Sequence, residues 1–461
     1  MTSSKRLARF LALGVGAAAM MFANVANAAG ISLIRDTEIE EMIRKDSDPI
    51  LKASGLNPKA VRFYLVNSNE VNAFVAGGQN IFIHTGLIAE TETPNQLLGV
   101  IAHEAGHISG GHIIRQGDMM RAGMAPFLLT MGLGIAAALA GQGQAGAALM
   151  ASSQYFGVLS VLRYSRVQEA AADQAAVSAL DEAGLSSRGL VEFFDTFRNV
   201  EVFSGQERYQ FFRSHPLSSD RIEILRRRAA EMPNYEKVDS PEKLEEYKLL
   251  KAKLDAFMKP PQQTFVRFSE KDPSFIARYA RAIAYYRAGE SERALTGIEA
   301  LLAERPNDPY LWELKGQVLF DSGRAALAVE AHKRSVELKP DAPLLRVNYG
   351  QSLIATESKE HLDAAIVNLR RAIQLEQDNT FAWTLLAQAY EAKGMPGEAR
   401  LATAEARFWA GNLQEAKTFA MRAREHLEKG KPDWVRATDI VLSSEPTDAD
   451  LKELARDSRG S

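Results

Sequence analysis

The spacing of apolar and polar residues predicts a small β-sheet in the first quarter of the chain. Short runs rich in valine, isoleucine and phenylalanine recur between residues 61 and 84, and each has the length of a strand. Gly77-Gly78, between the last two runs, is a strong signal for a hairpin turn. The predicted strands cover residues 61–66, 72–75 and 80–84.

A helical period begins directly after this sheet. Thr93-Pro94-Asn95-Gln96 offers an N-cap threonine, proline at the first helical position and glutamine three residues after the cap. The apolar residues that follow share one side of the predicted helix, so we expect that side to be buried: Leu97, Val100, Ile101, Ala105 and Ile108. Further helices are predicted at residues 168–183, at residues 220–232 and from Ser240 to Lys259.

Residues 123–162 are the most apolar segment after the first thirty residues. Two runs, Met124–Ala140 and Ala147–Leu162, are separated by Gly141-Gln142-Gly143-Gln144. Neither run reaches the roughly 20 residues that a membrane-spanning helix needs. The pattern favours a helical hairpin, either packed on its own domain or in peripheral contact with a membrane surface.

A repeat of 34 residues begins near Phe275. Gly289 and Gly323, Ala294 and Ala328, and Pro306 and Pro340 recur at that spacing. Small residues at a 34-residue period, with proline ending each unit, match the tetratricopeptide (TPR) pattern of paired helices. We expect about four units in residues 275–440, the third longer by about three residues and the last irregular.

Composition shifts mark the boundaries between these regions. Lys259-Pro260-Pro261 and the Gln-rich stretch after it predict a linker over residues 259–274. Polar residues from 441 to 461 predict a disordered tail. The fold class is therefore mainly α: an α+β domain with a small β-sheet over residues 29–258, then an all-α TPR solenoid.

The N-terminus has the pattern of an export signal. Lys5, Arg6 and Arg9 precede an apolar run that ends at Phe22, and Ala26-Asn27-Ala28 supplies small residues for cleavage near Ala28 and Ala29. We expect residues 1–28 to be a signal peptide. The net charge of −3 gives no indication of a nucleic-acid partner, and the absence of cysteine excludes disulfides and cysteine metal sites.

The helix near residue 100 contains the spacing H-E-x-x-H. His103 and His107 lie one turn apart, so both imidazoles can bind one zinc ion, with Glu104 beside them as general base. The alternative is a pair of surface histidines. The apolar side of the same helix favours the zinc site, because it places the helix in the core.

A catalytic zinc site needs a third protein ligand. In an unbroken helix His112 lies about 140° around the axis from His107, so we expect a hydrogen-bonded structural histidine there. Glu169 and Asp173 lie at i and i+4 of an alanine-rich helix. We expect Glu169 to bind the metal and Asp173 to accept the other ring N–H of a liganded histidine, against the alternative of a solvated acidic face.

The motif H-E-A-G-H, followed about sixty residues later by E-A-A-A-D, resembles the gluzincin family that includes the CAAX prenyl endopeptidases and HtpX. The signal peptide and the repeats are similar to periplasmic members of that family, over nearly the full mature length. The resemblance implies a zincin-type metallopeptidase fold in residues 29–258. It also implies one zinc ion per subunit on His103, His107 and Glu169, with Glu104 as base and Asp173 behind the ligands.

The family also carries two further motifs, seen here as Asn72-Ala73-Phe74 and as His215-Pro216 with Arg221 six residues on. The resemblance implies that His215 is a fourth, displaceable zinc ligand. From the residues alone, His215 is equally well interpreted as a loop histidine or as a functional one, and Arg221 could equally be an exposed cation. Near a metal, Arg221, His215 or Asn72 would stabilise an oxyanion.

These features together predict a periplasmic zinc endopeptidase that degrades misfolded or stalled outer-membrane and envelope proteins and also assists their assembly. The alternative is a TPR-based chaperone or scaffold on the outer-membrane β-barrel assembly machinery, with a mostly latent protease site. We also expect residues 80–84 to form an edge strand that pairs with extended substrate, or else simply core sheet. His84, at the end of this strand, is expected to be structural.

Overall fold

The computed structural model describes residues 32–112, 165–198 and 217–459, together with positions 124, 126, 128–131, 133, 211 and 215. The predicted signal peptide and most of the apolar segment 123–162 lie outside these residues. Among the described residues, no helix combines the length and the apolar character needed to cross a membrane. The chain divides into two compact units, one over Ile39–Lys251 and the other from Ala252 onwards together with the residues up to Glu38.

The predicted sheet is present in the first unit, and its strand order corrects one expectation. Its strands are β2 (Arg62–Val66), β3 (Ala73–Ala76) and β4 (Asn80–His84); a two-residue strand, β1 (Leu33–Ile34), belongs to the other unit. Strand β4 lies between β2, to which it is parallel, and β3, to which it is antiparallel. The expectation that residues 80–84 form an edge strand is therefore wrong, because β3 occupies the edge.

Stacked aromatic rings hold this register. The Phe82 ring in β4 stacks on Tyr64 of β2 at 5.0 Å and on Phe74 of β3 at 4.9 Å. Cross-strand aromatic pairs stabilise one register over its neighbours. The hairpin turn between β3 and β4 falls at Gly77-Gly78 as predicted, with φ of 59° and 99°.

The four helices predicted before residue 259 begin and end close to their predicted positions, and three further helices were not predicted. Thr93 caps the helix that carries H-E-x-x-H, because its side chain accepts a hydrogen bond from the Gln96 N–H. The bounds are α1 (Thr37–Ala53), α2 (Thr85–Glu90), α3 (Pro94–Ser109), α4 (165–182), α5 (Arg188–Thr196), α6 (Ser219–Ala230) and α7 (Pro241–Met258).

Helix α3 lies in the core and packs closely against α4. A Cβ atom added at Gly106 would lie 2.8 Å from the carbonyl oxygen of Ala172, which is closer than real side chains approach. Glycine at this position lets the two backbones touch. The acidic residues of α4 can therefore reach the histidines of α3.

The second unit consists of antiparallel helix pairs, as the 34-residue period predicts. The first pairs are α9 with α10, α11 with α12, α13 with α14, and α15 with α16. Their bounds, with the preceding α8, are α8 (Pro261–Arg267), α9 (Phe275–Arg287), α10 (Ser291–Glu304), α11 (Pro309–Asp321), α12 (Ala325–Leu338), α13 (Pro343–Ala355), α14 (Lys359–Leu375), α15 (Thr380–Lys393) and α16 (Pro396–Trp409).

One hydrogen bond recurs with the repeat. The side chains of Trp312, Arg346 and Trp383 each donate to the carbonyl oxygen six residues earlier, at 2.9, 2.7 and 2.8 Å. The first two residues are 34 positions apart and the next two are 37 apart. The predicted insertion of three residues lies in α14, which has 17 residues where α10 and α12 have 14.

The structure differs from the sequence expectations at the ends of this unit. Helix α8 lies within the stretch predicted as a linker. A further helix pair, α17 (Leu413–Arg424) and α18 (Pro432–Ser443), follows the regular repeats. Helix α19 (Asp448–Arg459) lies where a disordered tail was predicted, and Asp450 forms an ion pair with Lys417 at 2.9 Å. Polar composition alone did not reveal that partner.

Candidate metal centre

Four buried side chains converge in the first unit: His103 and His107 from α3, Glu169 from α4, and His215 from the segment before α6. One ligand atom from each lies within 4.8 Å of all the others. His103 has no exposed surface, and 5% of Glu169 is exposed. The histidines are therefore not a surface pair, and Glu169 does not belong to a solvated acidic face.

The distances between these atoms fit a zinc ion. His103 Nε2 lies 3.1 Å from His107 Nε2, 3.3 Å from His215 Nδ1 and 3.4 Å from Glu169 Oε2. Glu169 Oε1 lies 3.5 Å from His107 Nε2 and 3.1 Å from His215 Nδ1. Ligands at about 2.0–2.1 Å from a tetrahedral zinc ion are about 3.4 Å apart. The four donors thus have the chemistry and the spacing of a zinc site.

Asp173 and Arg221 support the ligands from behind. Asp173 Oδ1 lies 3.0 Å from His103 Nδ1, the ring nitrogen that faces away from the other ligands. The Arg221 guanidinium donates to both Asp173 oxygens at 2.6 and 2.8 Å, and its Nη1 lies 3.1 Å from Glu169 Oε2. Arg221 is buried, which rules out the sequence alternative of an exposed cation.

This arrangement moves the pKa values of the ligands in opposite directions. Burial alone would lower the pKa of His103, but hydrogen bonds to Asp173 and Glu169 outweigh burial and raise it to about 9. Burial and the charges of His103 and His215 lower the pKa of His107 to about 2. Burial opposes ionisation of Glu169, yet its hydrogen bonds to His103 and His215 hold its pKa below the usual range.

Glu104 lies beside the ligands without joining them. Its side chain is 1% exposed, and burial raises its pKa, against the opposing charges of His215 and His103. Its Oε1 makes no hydrogen bond within the described part of the chain, and His215 Nε2 lies 3.5 Å away. A buried carboxylate with a raised pKa, adjacent to a metal site, has the properties of a general base.

A long-range backbone contact positions His215. The Phe211 N–H donates to the carbonyl of Val71 at 3.1 Å, and the His215 N–H donates to the carbonyl of Phe211 at 2.8 Å. The Phe211 and His215 rings lie 4.6 Å apart. Sequence reasoning missed Phe211 and Val71, because neither belongs to a local motif.

Three other predicted residues lie at the margins of the site. His112 Nδ1 is 2.9 Å from His107 Nδ1, so His112 is hydrogen-bonded and lies outside the ligand set, as expected. Asn72 is buried, and its side-chain oxygen has no hydrogen-bond partner among the described residues. His84 is buried with Nδ1 3.5 Å from Glu70, and burial lowers its pKa. It does not belong to the metal-binding group.

Comparisons with known proteins agree with both units. Residues 34–229 match the family model for Peptidase family M48, and residues 277–403 match that for the cytochrome c-type biogenesis protein H TPR domain. The beta-barrel assembly-enhancing protease of Yersinia pestis is 23% identical over 420 residues, which cover 88% of this chain and 84% of that protein. The Escherichia coli K12 protein of the same name is 24% identical, over 81% of this chain and 76% of its own length.

A further relative matches a shorter part of the chain. Metalloprotease LoiP of Escherichia coli K12 is 30% identical over 176 residues, which cover 38% of this chain and 65% of LoiP. The predicted gluzincin resemblance and the predicted repeats are confirmed by these matches. The chain thus contains a metalloprotease domain of peptidase family M48, followed by a domain of tetratricopeptide repeats.

Proposed function

We propose that this protein is an exported zinc endopeptidase that cleaves misfolded or stalled proteins of the bacterial envelope. The observation that carries the proposal is the convergence of His103, His107, Glu169 and His215, with Glu104 adjacent and Asp173 behind. The spacing of these donors favours zinc over the larger calcium ion, which also prefers oxygen ligands.

Zinc bound to these ligands would supply a water of lowered pKa and would polarise a peptide carbonyl. Glu104 then takes a proton from that water and later delivers it to the leaving amine. Burial raises the pKa of Glu104, which makes the carboxylate a stronger base for the first transfer. Asp173 holds His103 in the orientation that directs Nε2 to the ligand set.

The three oxyanion candidates now differ in their surroundings. Arg221 directs its donors to Asp173 and Glu169, so we assign it to positioning these carboxylates. His215 faces both the ligands and Glu104. Asn72 is buried and adjoins the edge strand β3, and its side-chain NH2 group is the donor that it would offer. We therefore place His215 and Asn72 before Arg221 as oxyanion donors.

The proposed substrates and partners follow from the relatives. Two of them are named beta-barrel assembly-enhancing proteases, and each aligns with more than three quarters of this chain. By this likeness the substrates are unfolded or partly assembled outer-membrane proteins, and the repeats bind the assembly machinery in the periplasm. A peripheral membrane contact through residues 123–162 remains part of the proposal.

A second function, as an assembly scaffold with a latent protease site, is favoured by the position of His215. Its Nδ1 lies 3.3 Å from His103 Nε2, and its Nε2 lies 3.5 Å from Glu104 Oε1. One imidazole thus occupies the place of a fourth ligand and also contacts the base. Water and substrate have access only after His215 moves away, so a partner that draws its segment aside would activate cleavage.

The experiment that tests the peptidase is a comparison of wild type with Glu104→Gln. We expect both proteins to bind one zinc ion per chain, and we expect the variant to cleave an unfolded protein such as casein about 100-fold to 10,000-fold more slowly. The matched control is Glu92→Gln, since Glu92 precedes the same helix and lies outside the ligand set. Equal cleavage by a zinc-loaded Glu104→Gln protein would rule out this mechanism.

The latent site is tested with His215→Ala. In a folded, zinc-loaded protein we expect faster cleavage of casein, because the fourth position is then open to water. A slower rate would instead support a role for His215 in stabilising the oxyanion. For the scaffold function, we expect the Glu104→Gln protein to bind the assembly machinery as wild type does, measured by co-purification from envelope extracts.

A further inference from the structure

The end of helix α3 brings His112 back towards the metal ligands. The last helical residue is Ser109, and Gly111 has a φ of 65°, in the left-handed region. The Gly111 N–H donates to the Ile108 carbonyl at 3.0 Å, and the His112 N–H donates to the His107 carbonyl at 3.1 Å. A left-handed residue reverses the chain at a helix end. His112 therefore returns to the side of the helix that carries His107.

The contact between the two rings fixes where their protons lie. His107 directs Nε2 at the other ligands, 3.1 Å from His103 Nε2 and 3.5 Å from Glu169 Oε1. A neutral imidazole that binds a metal through Nε2 carries its proton on Nδ1. That proton points at His112 Nδ1, 2.9 Å away, so His112 is the acceptor and carries its own proton on Nε2.

Gly110 provides independent evidence that the fold leaves space for the His112 ring at this position. A Cβ atom at position 110 would lie 2.5 Å from His112 Nε2 and 2.8 Å from its Cε1. The backbone of Gly110, with φ −71° and ψ −11°, is one that alanine adopts without strain. Glycine is thus required at this position by the imidazole of His112, and not by the turn.

We propose that His112 is a positioning residue for the metal ligand His107, and that Gly110 leaves room for its ring. By accepting the Nδ1 proton, His112 fixes the tautomer and the rotation of His107 that direct Nε2 to the ion. The role parallels that of Asp173 behind His103, with a neutral acceptor in place of a carboxylate. The inference rests on the proposed zinc site.

The test is zinc affinity, measured with a competing chelator on the full-length protein. We expect His112→Leu, which has no acceptor, to weaken zinc binding about 10-fold to 100-fold. His112→Asn should restore most of the affinity, because its side-chain oxygen can stand where Nδ1 does. Ser109→Ala, at the same helix end, is the control that should leave the affinity unchanged.

The Gly110→Ala variant distinguishes a loss of His107 positioning by His112 from general damage to the turn. We expect it to weaken zinc binding in the wild-type background and to have little further effect in the His112→Leu background, because the three atoms nearest to the added Cβ all belong to the His112 ring. The d–d absorption band of the cobalt-substituted protein should shift in His112→Leu and recover in His112→Asn.

The outcomes separate this inference from the function on which it rests. Wild-type zinc affinity in a folded His112→Leu protein would overturn the positioning role, as would a His112→Asn protein as weak as His112→Leu. If wild type itself fails to bind one zinc ion, the proposed function fails first.

Discussion

Two clusters of ionisable residues, one in each unit, differ in how their donors and acceptors are arranged. In the repeat unit, the Lys253 ammonium lies 2.7 Å from Asp36 and 2.9 Å from Glu38, whose carboxylate also accepts from the Tyr279 hydroxyl at 3.3 Å. Donors face acceptors throughout this cluster. In the peptidase unit, the metal-binding atoms of His103, His107 and Glu169 converge at 3.1–3.5 Å.

The difference distinguishes an ion pair from a metal site. Attraction from Asp36 and Glu38 outweighs burial and holds the pKa of Lys253 well above its usual value, so the chain itself supplies the cation of this cluster. Once His103 has lost its Nε2 proton, the facing lone pairs of the histidines and of Glu169 repel until a metal cation lies between them. The convergence of several ligand atoms on one point, more than burial or the number of charges, therefore indicates which cluster needs an ion.

The strongest test of this comparison removes one carboxylate from each cluster. We expect Glu169→Ala to weaken zinc binding by about 60-fold to 1,000-fold, or about 2.5–4 kcal/mol, since four ligands share a total of roughly 10–16 kcal/mol. Glu38→Ala should leave zinc affinity unchanged. Chelator competition measures both, and equal losses in the two variants would refute the distinction.

The next test removes Lys253, the cation of the cluster with Asp36 and Glu38. We expect Lys253→Met to lower the free energy of unfolding by about 2–3 kcal/mol, less than for a fully buried pair, because it leaves Asp36 and Glu38, 18% and 15% exposed, without their cation. All four tryptophans lie between residues 312 and 434, so tryptophan fluorescence in urea reports on the repeat unit. Adding Asp36→Asn and Glu38→Gln should recover most of the loss. If Lys253→Met alone left the free energy of unfolding unchanged, Lys253 would not be the cation that stabilises Asp36 and Glu38.

The zinc affinity of the peptidase unit and the stability of its metal-free form should change with pH in opposite directions. His103 has a pKa of about 9 without metal, and zinc must displace its proton. We expect zinc affinity to rise about tenfold per pH unit from pH 7 to 9. Calorimetry in buffers of different ionisation enthalpy would count the released proton, and a pH-independent affinity would contradict the predicted pKa.

The metal-free protein should respond in the opposite direction. A pKa raised by folding contributes stability that is fully present below the unfolded value of about 6.5 and is lost as pH rises through about 9. Urea unfolding of the chelator-treated protein should therefore show falling stability over this window. Asp173→Asn is the control, since it removes the main partner that raises the pKa and should flatten both profiles.

The smallest expected effect concerns the cap of helix α6. Ser218 Oγ accepts the Arg221 N–H at 3.2 Å, so it fixes the start of the helix that carries this arginine. We expect Ser218→Ala to cost about 1 kcal/mol of stability. Zinc affinity should fall less than in His112→Leu, and a larger fall would mean that the cap positions the ligands more directly than proposed.

Local geometry accounts for what the sequence predicted well. His103 and His107 share a helical face because four residues complete about one turn, and the same rule pairs Glu169 with Asp173. The repeats were predicted because each helix pair packs mainly on its neighbours, so one period describes the whole array. The three-residue insertion could be predicted from the repeat spacing for the same reason, and it is present as a longer α14.

The sequence predictions failed where contacts between distant residues, or a break in a helix, determine the structure. The angular argument for His112 assumed an unbroken helix, whereas Gly111 reverses the chain and returns the ring to His107. The central place of β4 depends on strand pairing, which no run of apolar residues encodes. His215 was expected only through family resemblance, because the bond that positions it joins Phe211 to Val71.

The close contact at Gly106 has a consequence for how the chain tolerates change. Gly106 binds no ion and moves no proton, yet a single methyl group there would press on the Ala172 carbonyl and displace the helix that presents Glu169. A saturation-mutagenesis survey should therefore find this position about as intolerant as the histidines on either side. In H-E-x-x-H the letter x conventionally means any residue, but in this protein the second x carries nearly as much information as the ligands.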